Sequence, residues 1–308
     1  MGGPPTAISG AWTEYRRRFR NPLQTAAGRW TERRGWLLRV PGDPPRLAEW
    51  VDWPGRPGGG EGSTAFVRWM LTAGEGEEGI VSSAGLLPSG VPEESPAEWA
   101  RRGYRAVKAK IGGESPEREQ RVLAAWWERG EGTTLGVRLD ANGRLDAAGL
   151  RSWLHWMDAR PWVEFLEQPF PPGEEEHLRR VAGSAEARLA LDESLEVAGA
   201  LGRWVGEGWG GWWVVKPALC GGTDLLRGLP DWVRSRLILS SAFETGIGFG
   251  GVLQLALGLG GDRVHGLGTR GFFGGDGLDG WSPAPFYRAP LGRAEAEALY
   301  RRAVGAPV

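Results

Sequence analysis

The chain has 308 residues, of which 41% are hydrophobic and 24% charged, the balance of a folded globular protein rather than a disordered one. Thirty-seven basic residues against 38 acidic ones leave a net charge of −1, so no basic block offers itself to nucleic-acid phosphates. The single cysteine, Cys220, excludes an intramolecular disulfide framework and a Cys-rich metal site. No apolar run approaches the ~18 residues of a membrane span, and the first residues lack the apolar stretch of a signal peptide. The expectation is a cytoplasmic protein with neither membrane nor nucleic acid as partner.

In chain order, the first 90 residues show no regular alternation. Gly28–Val40 (GRWTERRGWLLRV) predicts a hairpin, 54–62 a Gly/Pro-rich loop, and 64–73 an apolar helix. From residue 80 the pattern changes. Apolar runs at 80–87, 104–111, 135–140, 163–167, 189–192, 212–216, 237–241 and 263–267 read as buried strands. Helical stretches fall between them at 116–129, 146–159, 174–182, 222–236 and 250–259. Strands alternating with helices make parallel βαβ units.

Asp140, Glu167, Asp192, Lys216, Ser240 and His265 stand at the ends of these runs, 24–27 residues apart. That interval holds one strand, one helix and two short loops. Seven or eight such units favour a closed (β/α)8-type (modified TIM) barrel, whose strand ends share the face where active sites form. The expected division is an α+β capping domain over residues 1–90, an α/β barrel over 91–284, and a segment 285–308 that packs back on the cap or barrel.

Only three of the 37 basic residues are lysines: Lys108, Lys110 and Lys216. A GC-rich genome explains the excess of arginine. It does not explain which lysines persist. Arginine keeps its proton, whereas lysine releases one when its pKa is lowered, so these three are candidates for proton transfer.

Lys108 and Lys110 are i and i+2 on one strand and point to one face. Unless they lie on a solvated edge strand, each ammonium lowers the pKa of the other. Asp140, Glu167 and Asp192 end three consecutive strands. Either they cap the following helices or they converge and hold a cation. Oxygen-only ligands suit Mg²⁺; zinc is disfavoured because His155, His177 and His265 lack ligand spacing. Lys216 ends the next strand and should face Lys110 across the cup. Arg138 and Asn142, two residues before and after Asp140, either touch substrate or serve structure. Together the groups fit removal of a proton beside a carboxylate, with a divalent ion stabilising the enediolate.

KAK at 108–110, RLDAN at 138–142, EFLEQP at 164–169, LDES at 191–194 and KPALCGG at 216–222 resemble the muconate-lactonizing subgroup of the enolase superfamily. With LSSAFETGIG at 239–248, the resemblance is greatest to its o-succinylbenzoate synthase branch. It implies a lyase of menaquinone or phylloquinone biosynthesis that removes water from a small-molecule carboxylate, 2-succinyl-6-hydroxy-2,4-cyclohexadiene-1-carboxylate.

By the same resemblance Lys110 is the base and Lys108 tunes it. Lys216 steadies the enediolate from the opposite face. Asp140, Glu167 and Asp192 hold Mg²⁺, with Mn²⁺ an expected substitute, and Ser240 meets the succinyl group. Loops of the capping domain should close over the mouth, but residues 54–62 align with none of them, so no cap residue is assigned. Homo-oligomerisation is left open.

Two rivals stand beside this reading. Dipeptide epimerases and N-acylamino acid racemases of the same superfamily use both lysines as acid–base groups. Residues 246–251 also fit GxGxxG, a dinucleotide fingerprint, although they come late in the strand series. In a barrel those glycines would instead offer free N–H groups to a substrate carboxylate. The eighteen tryptophans are scattered and read as core packing.

Overall fold

Along the first strand, Tyr15, Arg17 and Phe19 are buried while Glu14, Arg16, Arg18 and Arg20 face solvent, the period of two that a one-sided sheet requires. The computed structural model describes residues 4–25, 28–53, 59–73, 76–88, 90, 92–130, 133–197, 199–220, 224, 226 and 228–305. Strands β1 (Ala11–Thr25), β2 (Gly28–Val40) and β3 (Arg46–Val51) form an antiparallel sheet in that order. Gly28–Val40 is therefore one long strand, not a hairpin: β1 pairs with it from Gly28 to Arg39 and β3 with its second half, Gly35–Val40. The helix Gly59–Thr72 packs Val67 against Leu38, Ala48 and Trp50 of this sheet. It begins inside the expected loop 54–62, of which residues 54–58 lie outside the described residues.

The remaining strands are β4 (Gly79–Ser83), β5 (Gly85–Leu86), β6 (Ala106–Lys110), β7 (Gly136–Asp140), β8 (Val163–Glu167), β9 (Leu189–Leu191), β10 (Trp212–Val215), β11 (Leu237–Leu239), β12 (Val264–His265) and β13 (Phe286–Ala289). β5 to β11 make a parallel seven-stranded sheet in sequence order. It is curled. Past β11, Ser240 bridges Gly266, and β12 pairs in parallel with β4, which runs through Ala84 into β5. β13 lies antiparallel on β4, so residues 79–86, counted with the N-terminal unit by a boundary at 90, pair with strands of the later sequence.

Alternation along these strands sorts their side chains into two populations. Val107, Val137, Leu139, Leu166, Leu191, Val215 and Leu239 join the large core shared with the helices. Ala84, Ala106, Phe165, Ala190, Val214, Ile238 and Val264 form two smaller buried clusters. Two residues beyond this second set along each strand come Leu86, Lys108, Glu167, Asp192, Lys216, Ser240 and Gly266. One pleat thus separates an apolar plug from a polar layer.

The helices follow the sequence closely: Pro116–Glu128, Ala147–Asp158 and Glu175–Ala182 match the expected ranges within a residue or two. Asp146 accepts from Gly149 N at 2.7 Å and caps the second of them. The expected helix 222–236 lies partly outside the described residues; Asp231–Arg234 is helical. The helix expected at 250–259 starts at Gly246, capped by Thr245. The glycine run is helical from its first residue, so it is not a phosphate-cradling loop. Trp126, Trp153, Trp204, Trp209 and Trp213 are fully buried, as core packing requires. Among the described residues no helix is long and apolar enough to cross a membrane.

His265 is buried on β12, and its Nδ1 accepts from Leu239 N at 3.0 Å, which requires a neutral ring. Burial, with Arg138 and Arg263 nearby, lowers its pKa to about 3. Below about pH 6.5 the unfolded chain binds a proton that the folded chain refuses. Stability therefore falls as pH drops from about 6.5 toward 3, by up to ~1.4 kcal/mol per pH unit. The urea midpoint of the wild type should decline between about pH 7 and 5 more steeply than that of His265→Gln. Parallel declines would show that another group carries the effect.

Candidate active site

The polar layer opens into a cavity of about 140 Å³ lined by Lys108, Lys110, Asp140, Asn142, Asp192, Lys216 and Ser240, among others. A larger groove of about 890 Å³ between the helices Gly59–Thr72 and Gly246–Leu259 contains none of the predicted site residues.

Lys108 Nζ lies between two carboxylates, 2.6 Å from Glu167 Oε1 and 3.2 Å from Asp140 Oδ2. Lys110, one pleat further out and half exposed, donates to Asp140 Oδ2 at 2.7 Å and to Asn142 Oδ1. Lys216 donates to Asp192 Oδ1 and, at 2.7 Å, to Glu196 Oε1. Lys110 on β6 and Lys216 just beyond β10 approach the cavity from different sides.

The electrostatics follow from burial and pairing. Burial pulls Lys108 down, but Asp140 and Glu167 outweigh it and hold the ammonium above its ordinary range. The expected mutual lowering by the two ammonium groups therefore does not set the balance at Lys108: Asp140 and Glu167 lie within 3.2 Å of its Nζ and outweigh it. Burial likewise opposes the charge on Lys216, and Asp192 and Glu196 reverse the balance upward. Burial pushes Asp140 up, but Lys108 and Lys110 hold it below the usual carboxylate range. Burial and the Asp140 carboxylate push Glu167 up to about 8.

Among the described residues no three carboxylates stand together as a ready ligand cluster. Their mutual repulsion is offset by the ammonium groups between them. One oxygen stands out: Glu167 Oε2 is buried without a hydrogen-bond partner. A buried carboxylate oxygen in that condition is costly unless it meets a cation.

The other predicted residues divide. Asn142 is at the cavity in a left-handed conformation (φ 46°); it bridges Lys110 to Glu193, to which its Nδ2 donates at 2.9 Å. Ser240 lines the cavity and donates to Gly266 O at 3.1 Å. Arg138 does not reach the cavity. It lies one pleat deeper, donating to Glu164 at 2.6 Å and Val264 O at 2.8 Å over the Phe165 ring. Sharing a face with Asp140 was the correct inference; sharing its depth was not, since i−2 along a strand is ~6.6 Å away.

Several lining residues escaped the sequence reading. Glu193 and Glu196 follow Asp192 in the segment LDESLE, but attention to strand ends alone passed over them. Gln168, also left-handed, accepts from Asp192 N at 2.9 Å and Ser194 N at 3.2 Å, and so sets the turn that carries Asp192. Leu23, Trp53, Phe243 and Phe272 supply the apolar wall. Leu23 and Trp53 come from the N-terminal residues, where no periodicity signals a site.

Residues 93–231 match the enolase C-terminal domain-like family. The o-succinylbenzoate synthase of Thermosynechococcus vestitus is 38% identical over 196 residues, 58% of this chain and 59% of that protein. The chain thus spans under two thirds of that curated relative's length in the match. A hydrophobic dipeptide epimerase of Roseobacter litoralis is 33% identical over 39% of this chain and 36% of its own.

Among solved structures, the o-succinylbenzoate synthase from Thermosynechococcus elongatus BP-1, complexed with Mg in the active site, superposes with a TM-score of 0.75. It is 25% identical and covers 96% of this chain and 100% of its own. N-succinyl Arg/Lys racemase from Bacillus cereus has a TM-score of 0.65 at 14% identity, covering 94% of this chain and 96% of its own, a likeness of fold alone. In the segment that matches this family model, the paired lysines and acids fall on or just beyond consecutive parallel strands.

Replacing Lys108 by methionine leaves Glu167 and Asp140 facing each other without their shared ammonium. Urea unfolding in EDTA should show a loss of about 3–5 kcal/mol, the cost of breaking a buried ion pair from one side. A loss below about 1 kcal/mol would show that Lys108 does not hold the acids together.

Proposed function

We propose that the chain is an o-succinylbenzoate synthase, a Mg²⁺-dependent lyase removing water from 2-succinyl-6-hydroxy-2,4-cyclohexadiene-1-carboxylate. The observation that carries this reading is the placement of Lys110 and Lys216 on different sides of one cavity that Lys108 and the Asp140, Asp192, Glu193 and Glu196 carboxylates also line, with Glu167 bound to Lys108 beside it. The 38% identity to a curated synthase over 58% of this chain supports this reaction.

Asp140, Glu167 and Asp192 are the residues that would hold the metal. All are hard oxygen donors, and the partnerless Oε2 of Glu167 supports the fit. Bound there, Mg²⁺ would supply Lewis-acid stabilisation of the two negative oxygens of an enediolate.

The chain's own groups then divide the work. Lys110, the most exposed of the three lysines, is the base for the α-proton; Asn142 and Asp140 orient its Nζ. The electrons of the broken C–H bond pass into the enediolate and then form the ring double bond as the C–O bond breaks. The proton leaves Lys110 with the departing hydroxyl as water, and the ring becomes aromatic. Lys216 keeps its proton and its charge, which balances the enediolate. Lys108 tunes the field at Lys110 through their shared partner Asp140. Ser240 faces the succinyl part.

The same reading includes closure of the curled sheet into a (β/α)8-type barrel, with the bridge from Ser240 to Gly266 and the β4–β12 pairing as its support. It also takes residues before 79 as a capping domain, the last residues from 285 as a segment packed back on the barrel, and the cytoplasm as location.

A second reading has a specific observation behind it. Two lysines on different sides of one cavity also suit inversion of a stereocentre, and the 33% identity to a dipeptide epimerase points the same way. Incubation in deuterated water with N-acylamino acids and dipeptides separates the two: α-exchange without dehydration favours epimerisation.

Lys110→Arg keeps the charge but cannot act as base near neutral pH. Its kcat/KM for dehydration should fall at least about 10²–10⁴-fold, as far as that of Lys110→Ala. A near-wild-type arginine variant would sink the assignment. Dialysis against EDTA should abolish turnover, with Mg²⁺ or Mn²⁺ restoring it; full activity after chelation would remove the metal from the reaction.

A further inference from the structure

The N-terminal sheet reaches across to one loop of the cavity through three buried charged residues, one from each strand. Arg17 of β1 donates to Glu244 O at 3.2 Å. Arg33 of β2 donates to Ala242 O at 3.2 Å. Glu49 of β3 accepts from Thr245 N at 3.0 Å, Thr245 Oγ1 at 2.5 Å, Gly248 N at 3.0 Å and the Tyr15 hydroxyl. The chain's own carboxylate therefore fills the helix N-terminus at Gly246, satisfying N–H groups that the sequence left free for substrate. Gly248 permits this approach: a Cβ there would stand 2.7 Å from Glu49 Oε2.

The loop so held carries Ser240 and Phe243 into the cavity. Phe243 has φ of 62°, a left-handed conformation that a phenylalanine keeps only when its surroundings impose it. Its ring packs edge-on against Phe19 of β1 at 5.3 Å and against Phe272 at 5.6 Å. Glu49 itself contacts neither the lysines nor the acids of the polar layer. Those groups are set by β6 to β10; Ser240 N–H meets that ladder at Val215 O (2.8 Å), and Thr245 and Gly248, which bind Glu49, lie beyond it.

We propose that Glu49, supported by Arg33 and Arg17, is a positioning residue for specificity: it fixes the loop 240–245 and with it the wall against which the substrate's distal substituent binds. Proton removal at Lys110 does not depend on it. The kinetic form of the inference rests on the dehydration reading; its structural form does not.

The test uses Glu49→Gln, Thr245→Val and Thr245→Ser. With the cyclohexadiene carboxylate as substrate, Glu49→Gln and Thr245→Val should raise KM about tenfold and change kcat less than about threefold. Thr245→Ser, which keeps the hydroxyl, should stay near wild type. Hydrogen–deuterium exchange should quicken over 240–248 in the first two variants and stay unchanged over 136–140 and 163–167. An unchanged KM, a kcat that falls as far as KM rises, or unchanged exchange over 240–248 overturns the proposal. If the wild type fails to turn over this substrate, the dehydration reading falls, and the exchange pattern alone decides the role of Glu49. If Glu49→Gln does not fold, the Thr245 pair carries the comparison.

Discussion

Carboxylates gathered where water is scarce repel one another, and the structure is arranged around the positive charge that lets them remain. Asp140 and Glu167 are almost fully buried and share one ammonium, that of Lys108. Asp192 and Glu196 share another, that of Lys216. A lone buried charge would cost several kcal/mol, so each acid needs a partner fixed by the backbone rather than by a flexible loop. Parallel strands supply that rigidity. Their registers set Lys108 beside Arg138 and Lys110 beside Asp140, and one pleat of the sheet keeps the charged layer off the apolar plug beneath it.

The same logic extends to the N-terminal sheet. Arg17, Arg33 and Glu49 are buried charges in a three-stranded sheet too small to enclose them by itself. They find their partners in residues 242–248 and in Asp276 and Asp279, both bound by Arg17. Burial of these ions ties the sheet to the loop that walls the cavity. The apolar wall is then shared: Leu23 and Trp53 from the N-terminal residues, Phe243 and Phe272 from the later ones.

Much of this was legible in the sequence because parallel strands bury both faces and repeat at a near-constant interval. The ends of the runs put Asp140, Asp192 and Lys216 on one cavity and Glu167 on Lys108 beside it, without any knowledge of the helices between. Depth was not legible: Arg138 and Asp140 share a face, and only the packing of Arg138 over Phe165 and against Val264 shows that it belongs to the plug. Nor were Leu23, Trp53 and Glu49 legible. They act through contacts nearly 200 residues away in sequence, such as Glu49 with Thr245, and such contacts leave no local periodicity. The glycines at 246–251 misled for a related reason. They fit a fingerprint for a bound phosphate or offer N–H groups to a substrate carboxylate, whereas here Gly248 lets the chain's own carboxylate, Glu49, close on the helix end.

The two lysines of β6 show how position alone separates roles that residue type cannot. Both point to one face, both approach Asp140, and in sequence they are interchangeable. Lys108 is 12% exposed and enclosed by two acids that hold its proton; Lys110 is 49% exposed and reaches the cavity with Asn142 at its side. An ammonium locked between carboxylates is a structural cation, since losing its proton would leave both acids uncompensated. Lys110, at the cavity rim, is bound to one acid and one amide. The step of one pleat from Lys108 to Lys110 separates an ammonium enclosed by two acids from one that reaches the cavity; the proposed division of support from chemistry follows that step, since arginine, which cannot release its proton, would serve only the first.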